Sequence, residues 1–239
     1  MKAVAGMVTS GGVLADVGTD HGYIPIALVQ RQKITGAIAM DINKGPLEKA
    51  KANIKAYRYQ DQIEVRLSDG AQKLNVGEVD ALLLSGMGGA LMIRILSNRM
   101  DVFHSLDEVI LQPQAEIHLV RRFLHEQQFV IVNEVFLKED GKYYVAMKAR
   151  NLRKMEESER TTMKEKYGLS YDKECYYYYG KDLLNEKHEV LEQFLHREVN
   201  MREEIKEKLS QNVTENSMRR IEELNAELAI LQEALTFYQ

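Results

Sequence analysis

Five times before residue 128, a short apolar run ends in polar or glycine residues and gives way to a stretch that reads as a helix, and this alternation constrains the fold more than any other feature. Val13 to Val17 reads as a buried strand, followed by a helix from Tyr23 to Gln30 with Pro25 tolerated in its first turn. Gly36 to Asp41 repeats the pattern, and an apolar stripe at Leu47, Ala50, Ile54 and Tyr57 follows at helical spacing. Ile63 to Asp69 alternates with Ile63, Val65 and Leu67 inward; Val79 to Leu84 is continuously apolar; Glu108 to Leu111 is a fifth strand with a helix from Glu116 to Gln127 behind it. Such alternation requires right-handed crossovers and a parallel sheet covered on both faces.

Phe129 to Lys138 and Lys142 to Arg150 then form two long β runs around Glu139-Asp140-Gly141, a hairpin signal in which Asp-Gly accommodates positive φ angles. A parallel sheet finished by an antiparallel hairpin departs from a dehydrogenase domain. It is how class I methyltransferase sheets end. The apolar pattern is already under way at Ala3 to Val8 with nothing to cap it, so the chain is expected to begin inside a helix.

Beyond Arg150 the pattern changes. Leu152 to Tyr167 reads as a charged helix, Gly168 to Gly180 as a connector carrying Tyr176 to Tyr179, and Leu183 onward has neither proline nor glycine. Ile221, Leu224, Leu228, Leu231, Leu235 and Tyr238 alternate spacings of three and four, a coiled-coil seam. Leu184, Leu191, Phe194, Leu195, Met201, Ile205 and Leu209 make a looser one before it, with a turn at 210–212 and Asn212 and Glu215 as a capping pair. The expected layout is therefore a sheet domain over 1–150, a connector over 151–182 and an antiparallel helical hairpin over 183–239.

Charge is unevenly spread. Residues 1–150 hold 18 basic and 17 acidic residues, whereas 183–239 hold 7 and 12, so the net charge of −4 resides in the tail. This argues against a generally adhesive nucleic-acid binder but allows a locally basic face. The single cysteine, Cys175, rules out an internal disulfide, and six scattered histidines show no ligand spacing, so no metal is expected. No apolar run is of membrane length and no cleavable signal is evident, which points to a cytoplasmic protein.

In an open parallel sheet, ligands bind beyond the carboxyl ends of the strands. Here those ends carry Asp16 to Gly22, Asp41, Asp69-Gly70, Ser85 to Gly89 and Gln112 to Gln114. Gly12 to Gly22, GVLADVGTDHG, has the spacing D-x-G-x-D-x-G rather than the dinucleotide form G-x-G-x-x-G. It resembles the first motif of class I S-adenosylmethionine-dependent methyltransferases. Gly18 and Gly22 would let backbone wrap the methionine part of that cofactor, and Asp16 could hold its ammonium. Asp41, with Ile42 beside it, stands where a carboxylate can accept from both hydroxyls of a ribose; Asp69, before Gly70, could accept from the adenine amino group. His21 could touch the cofactor or cap the helix. The three glycines of Ser85-Gly86-Met87-Gly88-Gly89 permit a flat base or a phosphate to lie against backbone, or a helix to pack tightly on its strand.

Taken together, ADVGTDHGYIPIAL, AMDINKGPLEKAKANI, SDGAQKL, SGMGGALMIRIL and ILQPQAEIHLVRRFL, followed by the hairpin and the helical tail, resemble the bacterial tRNA (adenine-N1)-methyltransferase family that modifies position 22. The resemblance spans the whole chain. It implies a Rossmann-like methyltransferase sheet with a coiled-coil appendage, S-adenosylmethionine as cofactor, and transfer of a methyl group to N1 of the D-arm adenine of tRNA. By position it makes Asp16, Gly18, Asp20, His21, Gly22, Asp41, Ile42, Asp69, Gly70 and Ser85 cofactor contacts, and puts Asp20, Gly86, Met87, Gly88, Gly89, Gln112 and Pro113 beside the reacting atoms. The family usually begins with a short segment containing a basic residue just upstream of where Met1 falls.

Adenine N1 carries an available lone pair, so attack on a sulfonium methyl requires no prior deprotonation, and positioning supplies the rate. The base must be unpaired and turned outward. Tyr23 is a stacking candidate; Arg121, Arg122, Arg150, Arg153 and Lys154 could reach phosphates; and Arg197, Arg202, Arg219 and Arg220 could form one basic face on the tail. No obligate protein partner is implied. Competing readings are a methyltransferase for another RNA, a protein or a small molecule, and a coiled-coil adaptor with a vestigial sheet domain.

Overall fold

The computed structural model describes residues 2–211 and 214–239, and the chain divides into two compact units. The first comprises residues up to Val135 together with Val145–Ser170. In it, helix α1 (Lys2–Met7) precedes an alternating series: β1 (Val13–Val17), α2 (Tyr23–Gln30), β2 (Gly36–Asp41), α3 (Lys44–Ala56), β3 (Ile63–Leu67), β4 (Ala81–Met87), α4 (Gly89–Ser97), α5 (Met100–Ser105), β5 (Glu108–Pro113) and α6 (Ile117–Glu126). Strands β6 (Phe129–Glu139) and β7 (Lys142–Asn151) complete a seven-stranded sheet in the order β3-β2-β1-β4-β5-β7-β6.

Strands β1 to β5 pair in parallel, and β7 runs antiparallel to β5, with Glu108 opposite Arg150 and Leu111 opposite Met147. The central strands are apolar on both faces because helices cover both; Leu14, Ala39, Leu83 and Ile110 are fully buried. From β1 the chain first winds outward to β2 and β3, then crosses to the other side of β1 to form β4. In open α/β sheets such a reversal is the switch point, and the ligand crevice is expected beyond the carboxyl ends of the two strands that flank it, here β1 and β4.

Several boundaries differ from the sequence expectation. Strand β3 stops at Leu67, which is 38% exposed because β3 is the sheet edge, and so does not point inward as Ile63 does. Strand β4 begins later, at Ala81, and continues through Ser85-Gly86-Met87, with a register shift between Ser85 and Met87 against β5. The charged helix α7 starts at Glu157 (Glu157–Tyr167), not at Leu152. Buried Asn151 holds the intervening turn: its Oδ1 accepts from Arg153 N at 3.0 Å, and its Nδ2 donates to Leu106 O at 2.8 Å.

The second unit comprises Phe136–Tyr144 and Tyr171–Gln239. The boundary therefore falls inside the β6–β7 hairpin, whose tip carries Phe136 and Tyr143 against Phe194 at ring distances of 5.4 and 5.0 Å. The tyrosine stretch of the expected connector is helix α8 (Glu174–Tyr179), with Cys175, Tyr176 and Tyr177 buried, followed by α9 (Lys181–Asn185). Helices α10 (Glu189–Ser210) and α11 (Glu215–Leu235) pack antiparallel, burying Leu191 and Leu195 of one and Leu224, Leu228, Leu231 and Ala234 of the other. The cap of α11 is Thr214, whose Oγ1 accepts from Ser217 N while Ser217 Oγ accepts from Thr214 N at 2.7 Å. The expected cap Asn212 lies outside the described residues.

Candidate active site

The turn after β1 is held by its own polar groups. Gly18 and Thr19 donate their backbone N–H groups to Met40 O at 2.8 and 2.9 Å, fastening the turn to β2. Gly18 has φ +84° and Gly22 φ +70°, a left-handed conformation that suits glycine. Gly22 is the N-cap of α2 and donates its N–H to Thr19 Oγ1 at 3.2 Å. Thr19, which the motif reading passed over, is buried and also hydrogen-bonds the Asp16 side chain. Only its place between two motif glycines marked it in the sequence.

Asp16 is buried, and burial pushes its carboxyl up to about 6; the Thr19 hydrogen bond opposes this and the charge of Asp41 adds to it. Asp41, at the end of β2, accepts from Asn43 N at 2.7 Å. Asp69 is exposed after β3, where buried Ser68 shapes the turn by donating to Gly70 O at 2.9 Å and accepting from Lys73 N. Asp20 is exposed and its carboxylate lies 3.0 Å from His21 Nε2. His21 does not cap α2, which has no side-chain cap; its ring stacks at 5.4 Å on exposed Tyr23. Ile42 is 59% exposed beside Asp41.

Across the crevice, Gln112 Oε1 accepts from Ser85 Oγ at 3.0 Å and from Gly86 N at 2.9 Å. Gly86 has φ +78°. Met87 lies against Gly18: a Cβ added at Gly18 would fall 2.1 Å from the Met87 methyl. The ends of β1 and β4 therefore touch through one side chain and one missing side chain. The glycines divide in role. A Cβ at Gly88 would meet nothing, whereas at Gly89 it would come within 2.7 Å of Ala115 O and 2.8 Å of Glu116 O, so Gly89 serves the packing of α4 against the α6 entry. Glu116, in a left-handed conformation at the N-cap of α6, accepts from Ala90 N at 2.9 Å. Pro113 ends β5, buried.

The basic residues expected at phosphates are mostly engaged elsewhere. Arg121 is fully buried, with its guanidinium 2.9 Å from buried Glu134, so it cannot meet a phosphate; Arg122 is half-buried. Arg150, Arg153 and Lys154 stand at the opposite end of the sheet from the crevice, because antiparallel β7 carries its terminus back to the amino end of β5. There Arg150 pairs with Glu159 at 3.0 Å, Lys154 with Asp107 at 2.6 Å, and Arg153 donates to Gln127 O. Within the second unit Arg202 bridges Glu198 and Glu227, and Arg220 bridges Glu223 and Glu227. Arg197 lies over the Tyr143 ring, and Arg219 is exposed. The tail thus interleaves both signs instead of presenting one basic face. Among the described residues no group of three or more acidic, histidine or cysteine side chains could hold a metal ion, and no helix is long and apolar enough to cross a membrane.

A methyltransferase-domain family matches residues 1–147. The tRNA (adenine(22)-N(1))-methyltransferase of Bacillus subtilis (strain 168) is 32% identical over 236 residues, covering 98% of this chain and 95% of that protein. The chain belongs to the tRNA (adenine(22)-N(1))-methyltransferase family. The crystal structure of the B. subtilis M1A22 tRNA methyltransferase TrmK matches with a TM-score of 0.82 at 30% identity, covering 98% of this chain and 96% of that one. Streptococcus pneumoniae Sp1610 in complex with S-adenosyl-L-methionine matches with a TM-score of 0.79 at 28% identity, covering 98% and 97%. The chain carries a seven-stranded sheet with an antiparallel β6–β7 hairpin, and helices α10 and α11 follow it.

Proposed function

We propose that this protein methylates N1 of adenine 22 in the D-arm of tRNA, using S-adenosylmethionine. The observation that carries the reading is the meeting of two kinds of strand end at one switch point. Asp16 and Asp41 lie at the carboxyl ends of β1 and β2 and Asp69 follows β3, and the glycine segment at the end of β4 faces them through the Met87–Gly18 contact. The residues fit the cofactor. A buried carboxyl at Asp16 with a raised pKa is suited to an ammonium, and Gly18 keeps the turn free of a side chain where the Met87 methyl sits.

In this reading Asp16 holds the ammonium, Asp41 accepts from the ribose hydroxyls, and Asp69 accepts from the adenine amino group, with Gly22 and the α2 N-terminus beneath. The bound cofactor supplies an electrophilic methyl on sulfur. Adenine N1 forms the new bond with its own lone pair as the methyl–sulfur bond breaks, so no side chain removes a proton in that step. The protein's task is placement: holding N1 about 3 Å from the methyl, in line, contributes several kcal/mol. The product base is cationic, and the exposed Asp20 carboxylate is the group best placed by sequence to offset it. Tyr23, already stacked on His21, offers a flat apolar face to a base turned out of its helix.

Incubation with S-adenosylmethionine and unmodified tRNA, followed by mass mapping of the nucleosides, tests the assignment. One added methyl on adenosine 22, and none on a tRNA with another base there, is the expected result. Transfer to peptides or metabolites in preference to tRNA would overturn it.

A further inference from the structure

Gln112, at the end of β5, combines burial with an unpaired donor. Its side chain is 91% buried, and Nε2 is sealed from solvent with no hydrogen-bond partner. Leaving a buried amide donor unpaired costs about 1–3 kcal/mol, and such groups call for a reason, a ligand among them. The amide orientation is set by the other end: Gly86 N–H and Ser85 Oγ–H both point at one atom, so that atom is the carbonyl oxygen, and its two lone pairs are used. Because the amide is planar, fixing Oε1 also fixes where the two N–H bonds lie. The residue stands at the carboxyl end of β5, opposite Ser85, on the rim of the switch-point crevice.

We infer that Gln112 is a base-positioning residue: its Nε2 donates a hydrogen bond to a ring nitrogen of the adenine being methylated. This rests on the proposed reaction and adds a specific atom to it. Adenine N1 must keep its lone pair for the methyl, and the exocyclic amino group is itself a donor where it faces an N–H. Only N3 and N7 remain as acceptors. The common bidentate pairing of a glutamine amide with adenine is closed here, since Oε1 has no lone pair left for the amino group. The contact is therefore single and donor-only, which orients a purine without by itself distinguishing adenine from guanine. Reaching Nε2 requires the β4 end to yield, and Gly86 and Gly88 lack side chains that would obstruct this.

The test uses the full chain and tRNA carrying 3-deazaadenosine or 7-deazaadenosine at the target position. Both analogues keep N1 and make it more basic, so a slower reaction reports a lost contact and not a weaker nucleophile. One of the two is expected to lower kcat/KM about tenfold, the worth of one hydrogen bond. Gln112→Glu keeps an acceptor for Gly86 and Ser85 but removes the donor. It should lose about tenfold on normal tRNA, lose nothing further on the sensitive analogue, and bind S-adenosylmethionine within twofold of the parent by calorimetry. Equal rates on both analogues and normal tRNA would overturn the inference, a result that needs no variant to fold. A loss of cofactor affinity in Gln112→Glu would overturn it too, by assigning the donor to the cofactor. Absence of methylation of any tRNA by the parent protein would instead sink the proposed reaction.

Discussion

Replacing Asp16 by Asn should remove a pH-dependent cost from the ligand-free fold while destroying its cofactor site. The fold holds the Asp16 carboxyl at a pKa of about 6 against an ordinary 3.8, chiefly through burial. Because the folded value lies above the unfolded one, the folded state binds the proton more tightly between those pH values. The sign is then fixed: the fold is favoured below about pH 4 and loses stability as pH rises through 6. Above pH 7 the buried anion costs ~3 kcal/mol. Asn is neutral at every pH, has the same shape and keeps an acceptor for Thr19. Urea unfolding followed by circular dichroism is expected to show the stability difference between Asp16→Asn and the parent moving in the variant's favour by ~1.4 kcal/mol from pH 5 to pH 8, the cost of the buried amide N–H groups being the same at both. Calorimetry should show no binding of S-adenosylmethionine. A difference that does not change with pH, or that moves against the variant as pH rises, would refute the reasoning. An active-site group that is costly to the fold in the absence of ligand is a familiar trade of stability for function.

Two further outcomes follow from the geometry. Asp41→Ala removes the acceptor at the end of β2 without touching the core, so S-adenosylmethionine affinity should fall at least a hundredfold by calorimetry while the circular dichroism spectrum is unchanged. Arg121→Met breaks the buried Arg121–Glu134 pair and should cost ~3–5 kcal/mol in urea unfolding; a surface arginine that met only phosphates would cost almost nothing.

The strands and their polar ends were legible because each depends on a few consecutive residues. An apolar run such as Ala81 to Leu84 suits a strand buried on both faces, and Asp16, Asp41 and Asp69 stand at or just past the ends of β1, β2 and β3 in chain order. The helical tail was legible because spacings of three and four declare a seam. What failed were statements about where a charge ends up. Arg121 and Arg122 are neighbours in sequence, yet only the packing of α6 on the sheet gives Arg121 a buried Glu134 thirteen residues away. Arg150, Arg153 and Lys154 form a basic cluster in the sequence, and the reversal of β7 carries them away from the crevice.

The sequence by itself determined the order of the elements, the acids at the strand ends and the conformations that only glycine adopts readily, because these are local matters of periodicity and backbone sterics. The tertiary structure alone decided which side chains neutralise one another, that the β6–β7 tip belongs with the helical unit, and that the Gln112 carbonyl is used up while its amide protons are free. Those depend on strand register and on the direction of each strand, and neither is written in any short stretch of the chain.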